Sequence, residues 1–239
     1  MAGGRSLEEL KSELSSLYFP LSEATVQGWL SLGESVVPEL ARFLDNESSL
    51  IRNRAIVVLA RFGRPAFPAL ERALKDRDAG NRRTAVVELS KLVREAIPLL
   101  MKALDYADPV APDIIRSLGS MGALARDALP SLLAAIRCPY PLVCKEAILA
   151  LGFIRQPLDV IVPALVAELR DERLVKVSGV PGSQPVLIPL AGFAESSLID
   201  LGVEAIPHIE DERRRGRVNP QAAERIIARI NKHERLNLF

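Results

Sequence analysis

Few residues of this chain combine into the patterns that metal or covalent chemistry needs. The two histidines, His208 and His233, are far apart, and the two cysteines, Cys138 and Cys144, have no histidine beside them. A tetrahedral zinc site would therefore lack ligands, and we expect both thiols to be reduced and to behave as small apolar side chains. The glycine-rich stretch GVPGSQP lacks the lysine of a phosphate-binding loop and does not open a helix. The sequence thus predicts no catalytic residue, no metal and no cofactor.

A cluster of basic residues in the N-terminal half is the next candidate for a binding site. It consists of Arg52, Arg54, Arg61, Arg64, Arg82, Arg83 and Lys91. Arginine forks match phosphate oxygens, but acidic residues are interspersed and aromatic side chains for base stacking are missing nearby. We therefore interpret most of the cluster as ion pairs and solvated side chains. A patch for an anionic partner at Arg54, Arg61 and Lys91 stays open as the alternative.

The composition indicates closely packed helices in a soluble protein. Of the 239 residues, 49% are hydrophobic but only 5% are aromatic, and 31 Lys and Arg nearly balance 30 Asp and Glu. This balance gives no overall field that would attract nucleic acid or an anionic membrane. No apolar run approaches the roughly 20 residues of a membrane-spanning helix, and the N-terminus lacks the apolar stretch of a signal peptide. We expect a cytoplasmic protein without a membrane segment.

Proline and apolar residues recur along the chain with a period of about 30 residues. The repeat prolines are Pro38, Pro68, Pro98, Pro130, Pro163 and Pro207. The first five are followed by apolar residues at the second and sixth positions, which share one face of a helix that has the proline in its first turn. A second helix follows an acidic turn and has its own column of small or apolar residues, each with leucine four positions later. This column is Ala55, Ala85, Ile114, Ala147 and Ala194.

One copy of the period, LGESVVPELARFLDNESSLIRNRAIVVLARFG from Leu32 to Gly63, is better formed than the others. Its Gly-x4-Pro-x-Leu-x3-Leu pattern precedes an acidic turn and then Ile51-Arg52-x2-Ala55-x2-Val58-Leu59. This arrangement resembles the HEAT repeat in its short bacterial form, which also occurs in phycobilisome-lyase-like proteins. The resemblance covers roughly residues 20 to 233. It implies an all-α fold, a right-handed α-α superhelical solenoid (HEAT-like, armadillo-like) of about seven helix pairs.

The arginine of the second helix is not present in every copy. Arg52 and Arg82 have it, whereas Ala111, Cys144 and Ala191 replace it in the later copies. We therefore expect a ladder of Arg–Asp contacts between neighbouring repeats only in the N-terminal half.

Glu88 is an unusual residue in its column. The corresponding residues are Val58, Ser117, Ala150 and Ser197. This column is expected to be at least partly buried, and a buried carboxylate needs a partner. We expect Glu88 to have a structural role and to pair with Arg52 or Arg82.

We predict a single domain over residues 1–239 with a helix pair capping each end. Residues 6–33 form the N-terminal cap, residues 34–202 five central repeats, and residues 203–239 the C-terminal cap. The last central repeat carries an insertion at 175–186, VKVSGVPGSQPV, whose two glycines and two prolines predict a loop. The insertion is either tolerated at little entropic cost or part of the working face.

The second helices normally build the concave, binding face of such a solenoid. In the C-terminal half, the residues expected to point outward combine apolar side chains with a charged rim, which is typical of interface hot spots. They are Glu146, Leu149, Phe153, Phe193, Ser196 and Asp200. We predict a non-catalytic scaffold or adaptor that binds a protein partner there. Its oligomeric state is left open.

Other proteins with HEAT-like repeats have other functions, which the resemblance brings in as alternatives. A HEAT-like nucleic-acid-binding protein, or an alkylpurine DNA glycosylase, would need a basic groove with aromatic residues, yet the only tryptophan, Trp29, is expected in the core. Bilin-lyase-like chromophore handling is implied by the repeat type alone. The di-iron deoxyhypusine hydroxylases depend on several His-Glu pairs, whereas His233-Glu234 is the single pair here. Protein binding is thus the favoured function, with the nucleic-acid and chromophore functions as alternatives.

Overall fold

The computed structural model describes residues 5–16, 20–177 and 184–237. The chain divides into two compact units, Met1–Ala103 (unit 1) and Leu104–Phe239 (unit 2). That the whole chain forms a single domain stays a prediction. Within the described ranges, each helix is too short or too polar to span a bilayer.

Unit 1 consists of helices joined by short 3-10 turns. They are α1 (Leu7–Ser15), α2 (Glu23–Ser31), α3 (Val37–Ala41), α4 (Ser49–Ala60), α5 (Phe67–Ala73), α6 (Ala79–Ser90) and α7 (Ile97–Ala103). Local sequence explains how they begin. Ser6 and Glu9 form a capping box at α1, and prolines stand in the first turns of α3 and α5. Helices α1 and α2 lie in the segment predicted to form the N-terminal cap; that they cap the stack stays a prediction.

The apolar stripes of unit 1 form its core as the repeat pattern predicts. Leu40 and Leu70 from the first helices of their repeats, and Ala55 and Leu59 from a second helix, are fully buried. Trp29 is also fully buried, and its ring meets Phe43 edge-on at 6.3 Å between centroids. Removing this apolar surface from water is the main stabilising contribution.

Unit 2 continues the helix pairs and adds two short strands. Its elements are α8 (Ala111–Ser120), α9 (Leu129–Ala135), α10 (Pro141–Ile154), α11 (Leu158–Glu168), β1 (Leu174–Val177), β2 (Val186–Pro189), α12 (Leu190–Asp200), α13 (Ile206–Arg214) and α14 (Pro220–Asn237). The helical-repeat fold predicted from the sequence is confirmed, with one pair of short strands added to it.

Pro163 departs from the prediction that each repeat proline stands in the first turn of a helix. It lies inside α11, which begins at Leu158. Proline here removes one backbone hydrogen bond. The helix nevertheless extends towards the N-terminus because Leu158, Ile161 and Val162 are all buried and their burial offsets the lost bond.

The insertion at 175–186 is not a plain loop, so this prediction is wrong at both of its ends. Val175 and Val177 belong to β1 and Val186 to β2, and the strands pair antiparallel with Val175 opposite Ile188. Residues 178–183 lie outside the described residues. β-Branched side chains favour strands, and Val175 is buried whereas Leu187 on the other face is exposed. The glycines and prolines predicted a turn, and the strand signal of the flanking valines was therefore overlooked.

A ladder of arginine contacts holds the turns of unit 1 in place. The Arg52 Nε and Nη2 groups donate to the two carboxylate oxygens of Asp76 at 2.8 and 2.9 Å, from one repeat to the next. Its Nη1 donates to the carbonyl oxygens of Asn46 and Glu47 in its own turn. Arg82 repeats the second contact by donating to the carbonyl of Asp76 at 2.8 Å. The predicted ladder is thus confirmed for Arg52.

The Arg52–Asp76 pair is buried, with 4% and 5% of the two side chains exposed. Burial alone would raise the pKa of Asp76, but hydrogen bonds from Arg52 and from the Asp78 amide outweigh it and hold the pKa below its usual value. Asp76 is therefore ionised in the fold, and its charge depends on the presence of Arg52.

We expect Arg52→Ala to destabilise the protein by about 3 kcal/mol, because it leaves a buried carboxylate without its main partner. Urea unfolding followed by circular dichroism measures this loss. Arg72→Ala is the matched control, because it removes an ion pair to Asp45 in which 54% and 70% of the side chains are exposed. That change should cost at most about 1 kcal/mol. Equal losses in the two variants would contradict a structural role for the buried pair.

Candidate protein-binding groove

Helices α8, α10 and α12 of unit 2 lie side by side because small residues let them approach. A Cβ atom added to Gly119 would lie 2.7 Å from Ala150 Cβ, which is too close for any real contact. A Cβ atom on Gly152 would lie 3.1 Å from Ser197 Cβ. The Ser197 hydroxyl donates to the Ile148 carbonyl and so ties α12 to α10. The close approach fixes the side chains on the exposed side of these helices.

Charged side chains on this side of unit 2 form a network centred on Glu146. Arg116 donates from Nη2 and Nε to the two carboxylate oxygens at 3.0 and 3.2 Å, and Lys145 Nζ lies 2.7 Å from the same carboxylate. The Arg116 Nη1 group donates to Asp113. Hydrogen bonding to Glu146 is the main cause that raises the pKa of Arg116. The two cations and the two carboxylates balance each other.

The prediction that Glu146 points outward is wrong, since only 3% of the residue is exposed. Its position on the helix is at the exposed side, but Arg116 and Lys145 cover the carboxylate. The repeat pattern did not identify Arg116 and Lys145 as site residues. The signal available was Arg116, which stands one repeat before the predicted site residue Leu149 at the equivalent position of its helix.

A groove of about 270 Å³ lies beside this network. It is lined by Arg116, Gly119, Lys145, Glu146, Leu149, Ala150 and Phe153. Phe153 is the notable member, because 61% of it is exposed although aromatic side chains bury large apolar areas when they can. Leu149 is half-buried. The side chains of these two predicted residues are therefore brought together in one groove.

The remaining predicted residues contribute less apolar surface than expected. Phe193 is half-buried, and Lys145 Nζ lies over its ring at 6.0 Å from the centroid, within the range of a cation–π contact. Ser196 and Asp200 are exposed, and the Asp200 carbonyl accepts a hydrogen bond from Arg155. The apolar part of the site thus centres on Phe153 and Leu149.

In the alternative patch for an anionic partner, the basic side chains are engaged by intramolecular contacts. Arg54 does not fit the predicted patch, because it is 5% exposed and donates to the carbonyls of Leu14 and Ser16. These carbonyls near the end of α1 lie outside its helical hydrogen bonds and need donors. Arg61 is exposed and pairs with Glu23 at 2.8 Å.

Lys91, the third residue of that patch, pairs with Glu88 at 2.6 Å. Glu88 is 8% exposed, so its predicted burial is confirmed. The prediction that it pairs with Arg52 or Arg82 is wrong, because its ion pair is with Lys91. Lys91 lies three positions later on the same helix face, whereas Arg52 is committed to Asp76. The cations of the patch are therefore already engaged with carboxylates or carbonyls.

The two cysteines lie together in unit 2, although the sequence gave no reason to pair them. Their Sγ atoms are 3.6 Å apart and both thiols are free and buried. Burial, together with the hydrogen bond to Cys138, raises the pKa of the Cys144 thiol to about 12. In the described part of the chain, no group of three or more histidine, cysteine or acidic side chains is arranged to hold a metal ion.

Cys144 occupies the position of the missing arginine, and another arginine takes over its function. The Cys144 thiol donates to the Cys138 carbonyl at 3.1 Å, which corresponds to the contact that Arg52 makes with its own turn. Arg173, directly before β1, donates to the same carbonyl at 2.7 Å and pairs with Asp171. In unit 2 the contact between repeats is therefore made by Arg173 to a carbonyl oxygen, and its partner carboxylate, Asp171, lies in its own turn. The repeat pattern did not reveal this contact.

A family of known repeats matches part of the chain. Residues 37–119 match the family model for HEAT repeats, so this part of the chain is built of HEAT repeats. No curated protein matches the sequence. Solved structures that resemble it include the complex of CpcE and CpcF of phycocyanin lyase from Nostoc sp. PCC7120, at 20% identity over 97% of this chain and 96% of that chain, with a TM-score of 0.43. Another is an engineered protein, at 16% identity over 94% and 97% of the two chains, with a TM-score of 0.31.

The environment of Cys144 makes its alkylation a measure of unfolding. Iodoacetamide attacks the thiolate, and at pH 8 the native Cys144 is a buried thiol with a raised pKa. We expect labelling, followed by mass spectrometry of the Cys144 peptide, to be at least about 100-fold slower in the native protein than in urea.

The raised pKa also fixes the direction of a pH effect. The protonated thiol is the form that the fold favours, so its stabilising effect is complete below the ordinary cysteine pKa and is lost as the pH rises towards 12. A Cys138→Ser variant leaves one thiol and identifies its signal. Equal labelling rates in native and unfolded protein would contradict the buried position of Cys144.

Proposed function

We propose that this protein is a non-catalytic helical-repeat scaffold that binds a protein partner at the groove between α8 and α10. The observation that carries the proposal is the exposure of Phe153, at 61%, on the edge of that groove. Full burial of a phenylalanine side chain contributes roughly 1.5 to 3 kcal/mol. A partner that covers Phe153 and fills the space beside Leu149 would gain much of that free energy.

The charges around the groove support a protein partner rather than nucleic acid. Arg116 and Lys145 both contact the Glu146 carboxylate, and Arg116 also contacts Asp113. A phosphate group would have to compete with these carboxylates, so the groove offers little of the electrostatic gain that nucleic-acid binding requires. The paired rim instead resembles the polar surround of an interface hot spot. Apolar burial should dominate, and salt should weaken binding only modestly.

The surroundings of the cysteines favour a reducing compartment. Two free thiols 3.6 Å apart are expected to persist where thiols are kept reduced. This supports the proposal that the scaffold acts in the cytoplasm.

The expected effect of Phe153→Ser is a loss of partner capture of at least about tenfold, because the aromatic anchor of the interface is removed. Quantitative pull-down from the native cell, with isotope-labelled comparison of the variants, measures this loss. Leu124→Ser is the matched control, since Leu124 is an apolar residue of unit 2 with 45% exposure outside the groove lining. It should retain the captured protein.

Equal capture of the partner by Phe153→Ser and Leu124→Ser would contradict the proposal. Thermal unfolding of the two variants must stay close to that of the wild type, because both positions are exposed. If Phe153→Ser unfolds the protein, Phe153 has a packing role and the groove is not a binding site. Tight, steeply salt-dependent binding of a fluorescent DNA duplex would favour the nucleic-acid alternative instead.

A further inference from the structure

A second and larger groove lies on unit 2, formed by other helices than the one around Phe153. It has a volume of about 1150 Å³ and is lined by α9, α11, the end of α13 and the turn that follows. One stripe of α11 supplies Val160, Pro163, Ala164 and Ala167, and Arg170 follows. These positions recur at helical spacing, so α11 presents a continuous apolar strip to the groove.

Small residues explain why this groove is open. Four positions after the repeat proline, unit 2 has Ala134 and Ala167, whereas unit 1 has arginine or lysine. The residues of unit 1 are Arg42, Arg72 and Lys102. Arg72 pairs with Asp45 of the preceding repeat at 2.6 Å, and Lys102 pairs with Glu71 at 2.6 Å. Long side chains thus bridge the first helices of unit 1, and alanine leaves the equivalent space of unit 2 empty.

The arginines of the groove are available to a ligand. Arg137 and Arg170 stand at equivalent positions of consecutive repeats, seven residues after Pro130 and Pro163. Both are exposed, and within the described ranges neither guanidinium group donates a hydrogen bond or forms a direct ion pair. The charge of Arg137 acts only at longer range on the buried Glu168. A third arginine of the lining, Arg217, lies 3.3 Å from the carboxylate of Glu212.

Glu212 is the carboxylate within the groove lining, and it is already neutralised. It is 1% exposed and pairs with Arg215 as well as with Arg217. The groove therefore combines an apolar floor with a net positive rim. The charges of the rim around Phe153, in contrast, balance each other.

We propose that this arginine groove (Leu133 to Arg137, Val160 to Arg170 and Arg217) binds an acidic amphipathic segment of a partner protein. Apolar side chains of the segment would cover Val160 and Pro163, and its carboxylates would pair with Arg137 and Arg170. Guanidinium groups match carboxylates with two parallel hydrogen bonds. The site is separate from the groove of the proposed function and does not depend on it.

The lining favours a peptide over a nucleic acid. Single-stranded nucleic acid needs aromatic side chains on which bases stack, and the residues that line the arginine groove include none. Two free arginines also supply few of the phosphate contacts that produce tight binding to a duplex. An apolar strip between helices suits instead the apolar face of a short helix.

The test uses a fluorescein-labelled synthetic peptide of about 18 residues with leucine and glutamate at helical spacing. Fluorescence anisotropy with the full-length protein should show saturable binding that weakens with salt. In the double variant Arg137→Gln/Arg170→Gln the affinity should fall about tenfold, from the loss of two solvent-accessible ion pairs. Arg94→Gln/Arg126→Gln removes the same charge at exposed positions outside the groove and should bind like the wild type.

Two further arms make the result specific. A peptide with lysine in place of glutamate should not bind, and Phe153→Ser should bind the acidic peptide like the wild type. The proposal is overturned if the acidic peptide does not saturate, if the lysine peptide binds equally well, or if the two double variants lose affinity equally. An effect of Phe153→Ser equal to that of the groove variant would also overturn it. Since all the exchanged arginines are exposed, thermal unfolding should confirm that each variant folds.

Discussion

A guanidinium group that bridges two neighbouring turns is the interaction on which the packing of the repeats depends. In unit 1, Arg52 contacts the carbonyls of its own turn and the carboxylate of Asp76 in the next. A buried cation is tolerated only when its donors are satisfied, so the turns must lie where the donors reach. This requirement sets the spacing of successive helix pairs. Apolar packing supplies most of the free energy, but it would tolerate small displacements that the arginine does not.

Binding surfaces arise in unit 2 where small residues replace large ones. Gly119 lets α8 approach Ala150 of α10, which fixes the side chains around Phe153. Ala134 and Ala167 leave the space that Arg72 and Lys102 bridge in the equivalent part of unit 1. In both cases the framework of the repeat is unchanged. The surface differs because, at a few positions of unit 2, small residues replace the long side chains that bridge neighbouring helices in unit 1.

The periodicity of the sequence predicted the fold well because a helical stripe and a proline in a first turn are local signals. It placed Leu59 and Trp29 in the core and Phe153 on the surface, as the structure has them. Glu146 was misplaced because its burial depends on cations from another helix and from its own neighbour. The hairpin was missed because turn residues concealed its valines. The pairing of Arg173 required three-dimensional positions that no period encodes.

The same bridge is made in opposite directions in the two units. In unit 1 the arginine belongs to the earlier repeat and reaches forward to Asp76, whereas in unit 2 Arg173 belongs to the later repeat and reaches back to the Cys138 carbonyl. The repeats are therefore not interchangeable modules. A chimera that placed a repeat of the Arg52 type before the turn of Arg173 would crowd two guanidinium groups around one carboxylate, Asp171. The reverse junction would leave an aspartate without an arginine partner, so these two repeats cannot exchange neighbours without losing or duplicating a guanidinium contact.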